Sequence, residues 1–211
     1  MKKVWLFFVV LMISCSSQEV SITNLDVPPQ IQKQDEKFRD VYKPLDGEWQ
    51  GKFYIYEDTR GQQQQKASLE VDSWRKPPFK LLNVIDVHQT YKSLSPFFQK
   101  VVIRDTYIEK NQPKTVVSQG VNKVQNGQMW CIVKKPNETV VHTGKTEGKK
   151  TIIWQRDLRK PIRIEYFKET VEANTYTILG WGYYGKDKAH LGPKIYFYGE
   201  YQRVTKKSQT K

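Results

Sequence analysis

The sequence predicts an all-β chain: a single antiparallel up-and-down β-barrel of about ten strands, occupying residues 44–205. Three observations predict it. First, side chains alternate with period two. Trp49, Phe53 and Ile55 stand between Gln50, Lys52, Tyr54 and Tyr56, while Ile195, Phe197 and Tyr201 stand between Tyr196, Tyr198, Glu200 and Gln202, as in strands that bury one face. Second, turn residues punctuate the β-rich runs at short intervals, with Asn126-Gly127 the strongest hairpin signal. Third, no long helical period separates the runs. An open sheet of this size leaves two edges and an apolar face in water, and closure removes both exposures. A β-sandwich is the alternative, but short hairpin-like links favour up-and-down closure.

Taken in order, the chain opens with Met1-Lys2-Lys3 and an apolar run from Val4 to Ile13, then Ser14-Cys15-Ser16-Ser17. A basic start, a short apolar stretch and a small residue before a cut site describe a signal peptide over residues 1–14. The run is about half the ~20 residues that a membrane-spanning helix needs. Leu11-Met12-Ile13-Ser14-Cys15 resembles the bacterial lipobox, with Met12 where leucine is usual. The resemblance implies that Cys15 is diacylated and becomes the first residue of the mature protein, anchored to a membrane of the bacterial cell envelope, the outer membrane being expected. Residues 15–43 are polar, contain Pro28-Pro29, and read as a tether. A short helix within Gln30–Tyr42 would align Ile31, Phe38 and Val41, with Gln34 interrupting the stripe.

Between the first and last strands the β-rich runs are Ala67–Trp74, Lys80–His88, Phe98–Glu109, Thr115–Val124, Gln128–Lys134, Glu138–Thr143, Thr151–Arg156, Ile162–Val171 and Thr175–Tyr184. Asn111-Gln112-Pro113, Lys135-Pro136-Asn137, Gly144–Gly148 and Ala173-Asn174 are further turn candidates, and Lys160-Pro161 begins a strand where proline is tolerated. Residues 206–211 form a basic tail expected to be disordered.

Gly47-Glu48-Trp49 on the first strand and Arg203 on the last resemble the calycin superfamily, which includes lipocalins, fatty-acid-binding proteins and lipocalin-like domains of bacterial secreted proteins. The resemblance implies that Trp49 and Arg203 stack across the closed end of the barrel. The residues themselves support this pairing: Arg203 has the parity of Phe197 and Tyr201, and an inward arginine finds a partner in a tryptophan face worth ~0.5–2 kcal/mol.

Composition limits the partners. The chain holds 35 basic and 22 acidic side chains, a formal charge of +13 that falls to +11 when Lys2 and Lys3 leave with the leader. The charges are scattered, which fits a solubilising surface beside an anionic membrane or anionic envelope polymers. Aromatic and basic residues interleave late in the chain, but with a secretion signal they read as barrel wall, and nucleic acid is not an expected partner. With Cys15 acylated, Cys131 is the only remaining cysteine, so no internal disulfide forms and the fold rests on its core.

Several motifs fail on context. Gly180-Trp181-Gly182-Tyr183-Tyr184-Gly185 spells a dinucleotide fingerprint, but a polar loop and another strand follow where a helix is required. Gly144-Lys145-Thr146 lacks the upstream glycine of a phosphate loop, Thr139 standing there instead, and reads as a charged hairpin loop. His88, His142 and His190 lack metal-ligand spacing. His190 is loosely placed like the iron ligand of nitrobindin-type haem barrels, but the remaining signature is missing, so no cofactor is expected. Asn137-Glu138-Thr139 is a sequon meaningful only in a eukaryotic secretory pathway, and no Gly-x-Ser-x-Gly elbow occurs.

The functional expectation is a lipid-anchored barrel, not an enzyme, that binds or carries an apolar or amphipathic small molecule. Phe53, Ile55, Ile178, Gly182, Ile195, Phe197 and Tyr201 are expected to line its interior, with small residues such as Gly51, Ser118, Gly120 and Gly180 leaving volume unfilled, and Arg203 or a tyrosine hydroxyl as polar contact. The alternative is an interaction or structural lipoprotein with a filled barrel and a basic outer face. A weaker alternative is a hydrolase-type enzyme using Asp86 and His88, which share a strand face, or Cys131, more readily read as a buried thiol.

Overall fold

The computed structural model describes residues 21–60, 70–185 and 195–205. Cys15, His190, the leader and the tail at 206–211 lie outside the described residues. Ten antiparallel strands close into one barrel: β1 (Gly47–Asp58), β2 (Phe79–Ser95), β3 (Phe98–Glu109), β4 (Gln112–Gln125), β5 (Gln128–Lys134), β6 (Thr139–Glu147), β7 (Thr151–Arg159), β8 (Ile162–Glu172), β9 (Thr175–Gly185) and β10 (Ile195–Arg203). Each strand pairs with its sequence neighbours, and β1 pairs with β10 to complete the ring. The all-β, up-and-down, ten-strand expectation is met.

Local chemistry sets the tight turns. Asn126 and Gly127 both adopt positive φ, 56° and 72°, between β4 and β5. That is the twist a two-residue hairpin needs, and asparagine and glycine adopt it at least cost. The β3–β4 turn falls on Lys110-Asn111, one residue before the expected site, and Pro113 lies within β4 opposite Ile108.

The two ends of the barrel differ. The end holding the β3 start, the Asn126-Gly127 turn and the β10 end is sealed. Tyr42 and Leu45 are buried there with Trp49, Met129, Trp154 and Tyr176, and Phe38 and Val41 pack against the same cluster. Trp49 is fully buried, its indole N–H donates to the Leu45 carbonyl at 2.7 Å, and the Arg203 guanidinium lies 4.1 Å from its ring centre. Arg203 also donates to the carbonyls of Asp46 and Pro44. Gly47 has φ +120°, and a Cβ there would stand 2.7 Å from the Arg203 guanidinium, so both the backbone and the stack require glycine. The Gly-x-Trp spacing thus places a hole for Arg203 and the ring that receives it on one strand.

Four sequence expectations need correction. Residues 21–43, the described part of the expected tether at 15–43, are not a free tether. Leu25 is buried on the outer wall with Phe98, Val121 and Ile132, and Asp35, fully buried, accepts from the backbone N–H of Gly127 at 2.6 Å. Lys123 is buried beneath this strap and donates to the carbonyls of Ser21 and Asn24. The expected helix in Gln30–Tyr42 is a 3₁₀ turn over Lys33–Phe38, with a second at Lys43–Leu45; Phe38 and Val41 pack inward, but Ile31 stays 41% exposed. Within the expected strand Ala67–Trp74, residues Val71–Trp74 form one helical turn, α1. A strand would send Val71 and Trp74 to opposite faces, whereas a helical turn puts both on the outer aromatic cluster of Tyr56 and Tyr196. Finally, β6 continues through Gly144-Lys145-Thr146 to Glu147. Gly144 is there because the Trp154 ring lies on it: a Cβ would approach that ring to 2.3 Å.

The strap yields a prediction. A tether would tolerate Leu25→Ala without cost, whereas a packed strap loses buried surface and leaves a gap, at about 2–3 kcal/mol. Urea unfolding of the variant should show that loss; an unchanged midpoint would mean that the segment is not part of the fold.

Candidate functional site

The barrel encloses a chamber of about 340 Å³. Its wall is mostly apolar, with Val87, Val101, Ile103, Val133, Val140 and Phe167 among the lining residues. Of the residues expected to line it, Phe53, Ile55, Ile178, Phe197 and Tyr201 do so. Gly182 and Ile195 do not. The Tyr184 ring covers Gly182, so that a Cβ would meet it at 2.5 Å, and Tyr184 takes the place at the wall, while Ile195, in register with Gly182, is not among the lining residues. Gly51, Gly120 and Gly180 supply no volume either, because neighbouring backbone stands where each Cβ would be, at 1.9 Å from Glu200 O, 2.5 Å from Ile132 O and 2.5 Å from Tyr166 O respectively. Arg203 faces the Trp49 ring at the sealed end and is not a chamber contact.

The polar groups of the chamber fall into two sets. Towards the end opposite the seal lie Lys135, Glu138, His142, Glu165 and Tyr184, with Asp105 on β3. Glu165 is the hub. It bonds His142 Nε2 at 3.0 Å and accepts from the Tyr184 hydroxyl at 2.8 Å, while Arg156 stands 3.6 Å away and reaches Glu138 at 3.5 Å. Burial alone would raise its pKa, but the hydrogen bonds from His142 and Tyr184 and the Arg156 charge outweigh it, holding the carboxyl down at about 2. Asp105 has no such support, and burial raises its pKa against a weaker pull from Lys135.

The second set is at the sealed end. Glu169 projects from β8 into the chamber among Trp154, Tyr176 and Tyr201. Burial pushes its carboxyl up to about 7, although hydrogen bonds from the Trp154 and Tyr176 side chains partly offset this. No cation contributes to that balance. Tyr91 donates to Gln89 Oε1 at 2.8 Å and lies 3.4 Å from the Tyr176 hydroxyl, so these phenols are engaged with one another. Asn122 also lines the chamber. Gln99 donates its amide N–H groups to Tyr42 O and Asp46 Oδ1, which leaves its oxygen to accept from Asn122 Nδ2 at 2.9 Å. That fixes the Asn122 orientation, and its Oδ1 is a buried acceptor with no donor among the described residues.

The residues considered for catalysis are not assembled. Asp86 pairs with Lys52 at 2.8 Å and His88 stands 3.6 Å from Glu48, both on the outer face and neither lining the chamber. Cys131 faces the chamber in register with His142, but burial and the Glu169 charge push its thiol pKa up, which opposes thiolate formation. Among the described residues no group of three or more His, Cys, Asp or Glu could hold a metal ion.

These features define a closed ten-strand β-barrel around a ligand-sized, polar-ended chamber. No protein-family model matches the chain, and no curated protein matches it. Among solved structures it is similar to a redesigned β-barrel, b11L5F_LGL, at 12% identity and TM-score 0.37, over 79% of this chain and 97% of that one. It is likewise similar to EF1p2_mFAP2b bound to DFHBI, at 12% identity and TM-score 0.34, over 79% of this chain and 99% of that one.

Glu169 gives the site a pH signature. A carboxyl ordinarily near 4.5 and raised to about 7 in the fold binds its proton more tightly in the native state. Its effect is therefore absent below pH 4.5, destabilises progressively as pH rises to about 7, and is then constant at on the order of 3 kcal/mol. Glu165 works in the opposite sense and in a lower window, its contribution being lost as pH falls from 4.5 towards 2. Glu169→Gln should therefore be more stable than wild type at pH 8 and lose that advantage by pH 5. Urea titrations at the two pH values measure it, and a pH-independent difference would contradict the assignment.

Proposed function

We propose that this chain is a lipid-anchored envelope protein of the lipocalin-like kind, whose barrel takes up a small apolar or amphipathic molecule. The observation that carries the reading is the chamber. Its ~340 Å³ lies within the ~300–1,000 Å³ typical of small-molecule sites, and apolar walls with a few placed polar groups are the usual composition of such sites. A structural lipoprotein with a filled barrel would not retain this volume. The lipid anchor at Cys15 is supported by the leader and its lipobox-like end. The Gly47, Trp49 and Arg203 arrangement supports kinship with calycins. The basic exterior would face anionic lipid or envelope polymers.

Two experiments test the two halves. The full chain should bind the neutral dye Nile red saturably at micromolar concentration, and Ile178→Trp, which fills the middle of the chamber, should weaken binding by about tenfold or more while the protein remains folded. A linear, unsaturable response, or an Ile178→Trp protein that binds as wild type does, would reject chamber binding. Cys15→Ser should abolish processing or release the protein from membranes; normal cleavage with membrane retention would reject the anchor.

A further inference from the structure

The charge inside the barrel is opposite to the charge outside. The chain as a whole is at +13, yet the ionisable groups lining the chamber are four carboxylic acids, Asp105, Glu138, Glu165 and Glu169, against Lys135 and His142. His142 and Glu165 satisfy one another, and Lys135 and Glu138 sit where the wall meets the surface. Two acids line the chamber with hydrogen-bonding capacity to spare, Asp105 on β3 and Glu169 on β8, and of the two Glu169 is the one at the sealed end. A carboxylate has about four acceptor positions, and the Trp154 and Tyr176 side chains support this one only in part. Asn122 Oδ1, at the same sealed half, is a second acceptor left without a donor.

We propose that the occupant of this chamber is an apolar molecule ending in a protonated amine, inserted amine-first so that its N–H groups are received by Glu169. The inference rests on the chamber being a ligand site. An amine brings donors and a positive charge to a place with surplus acceptors, where no cation acts on Glu169; Lys149 and Lys150 line a second, much smaller cavity that Glu169 also borders. The hydrocarbon or aromatic remainder would lie along Phe53, Val101, Ile178 and Phe197. A fatty acid entering the same way would bring a carboxylate against Glu169, two like charges in a buried site, where their repulsion is screened less than in water. The expectation of a lipid-like ligand met by Arg203 is replaced on this reading: Arg203 lies outside the chamber, and the polar contact is an acid.

The test compares decylamine, decanol and decanoate as competitors of Nile red on the full-length protein at pH 8 and physiological salt. The three differ only at the polar end. Decylamine should displace the dye at about tenfold or more lower concentration than decanoate, as charge-assisted hydrogen bonds of this kind are worth. Glu169→Gln should remove most of that preference, read as the ratio of decylamine to decanoate displacing concentrations measured on the same variant. Should Glu169→Gln fail to fold, the wild-type ranking decides alone. Decanoate binding as well as decylamine, or an amine preference that survives Glu169→Gln, overturns the proposal while leaving the chamber a ligand site. Absence of saturable Nile red binding removes the chamber reading itself and this inference with it.

Discussion

Arg203 holds three parts of the chain together. Its guanidinium covers the Trp49 ring on β1, its own backbone ends β10, and its N–H groups take the carbonyls of Pro44 and Asp46 just before β1 begins. The first and last strands of a sheet have no sequence neighbour to complete their ladders, so their pairing closes the longest loop in the fold and carries the largest entropic cost. Concentrating stacking, hydrogen bonds and complete burial of Trp49 at that junction is a direct answer to the cost. Once the ring is closed every strand has two partners, alternation acquires an inside and an outside, and a chamber exists.

The seal at the same end depends on an ordered polar layer as well as on aromatic rings. Asp46 accepts from the backbone and hydroxyl of Ser93 and from Gln99, and Gln99 passes the chain on to Asn122. These bonds knit the 3₁₀ turn before β1 to β2, β3 and β4. Above this layer the wall turns apolar, and Glu169 is the exception within it. Its ionisation is disfavoured by burial, and Trp154 and Tyr176 support it only in part. An apolar residue of the same volume would avoid that cost.

Much of the fold was legible in the sequence because barrel strands bury one face, and β1 and β10 display that alternation cleanly. The interior of β8 was not legible in the same way. There Ile162, Ile164 and Tyr166 point away from the chamber while Glu165, Phe167 and Glu169 face it, so hydropathy alternates with inverted sign. Tyr166 stacks outside on Trp181, within the reach of a second, external aromatic cluster capped by α1. Such a cluster makes outward faces look like inward ones. A signal for Glu169 did exist. The Ala173-Asn174 turn sets Glu172 opposite Thr175, and counting back pairs Glu169 with Ile178; opposite residues share a face, so an inward Ile178 requires an inward Glu169. The strap, by contrast, had no such signal, because Leu25 and Asp35 are isolated in a polar segment and only tertiary packing gives them partners.

Under the anchor proposed at Cys15, the strap also implies a direction. It lies on the outer wall at the sealed half, beside Phe98 and Val121, and its described part begins at Ser21. Six peptide units separate Cys15 from Ser21, a reach of ~20 Å even when fully extended. With Cys15 as the attachment, the barrel would stand close to its own bilayer on a short leash, sealed end nearest the lipid and the Glu138–Tyr184 end turned outwards. Traffic into the chamber would then come from the aqueous compartment or from a surface facing that membrane, and lipid of the anchoring leaflet would meet a closed floor.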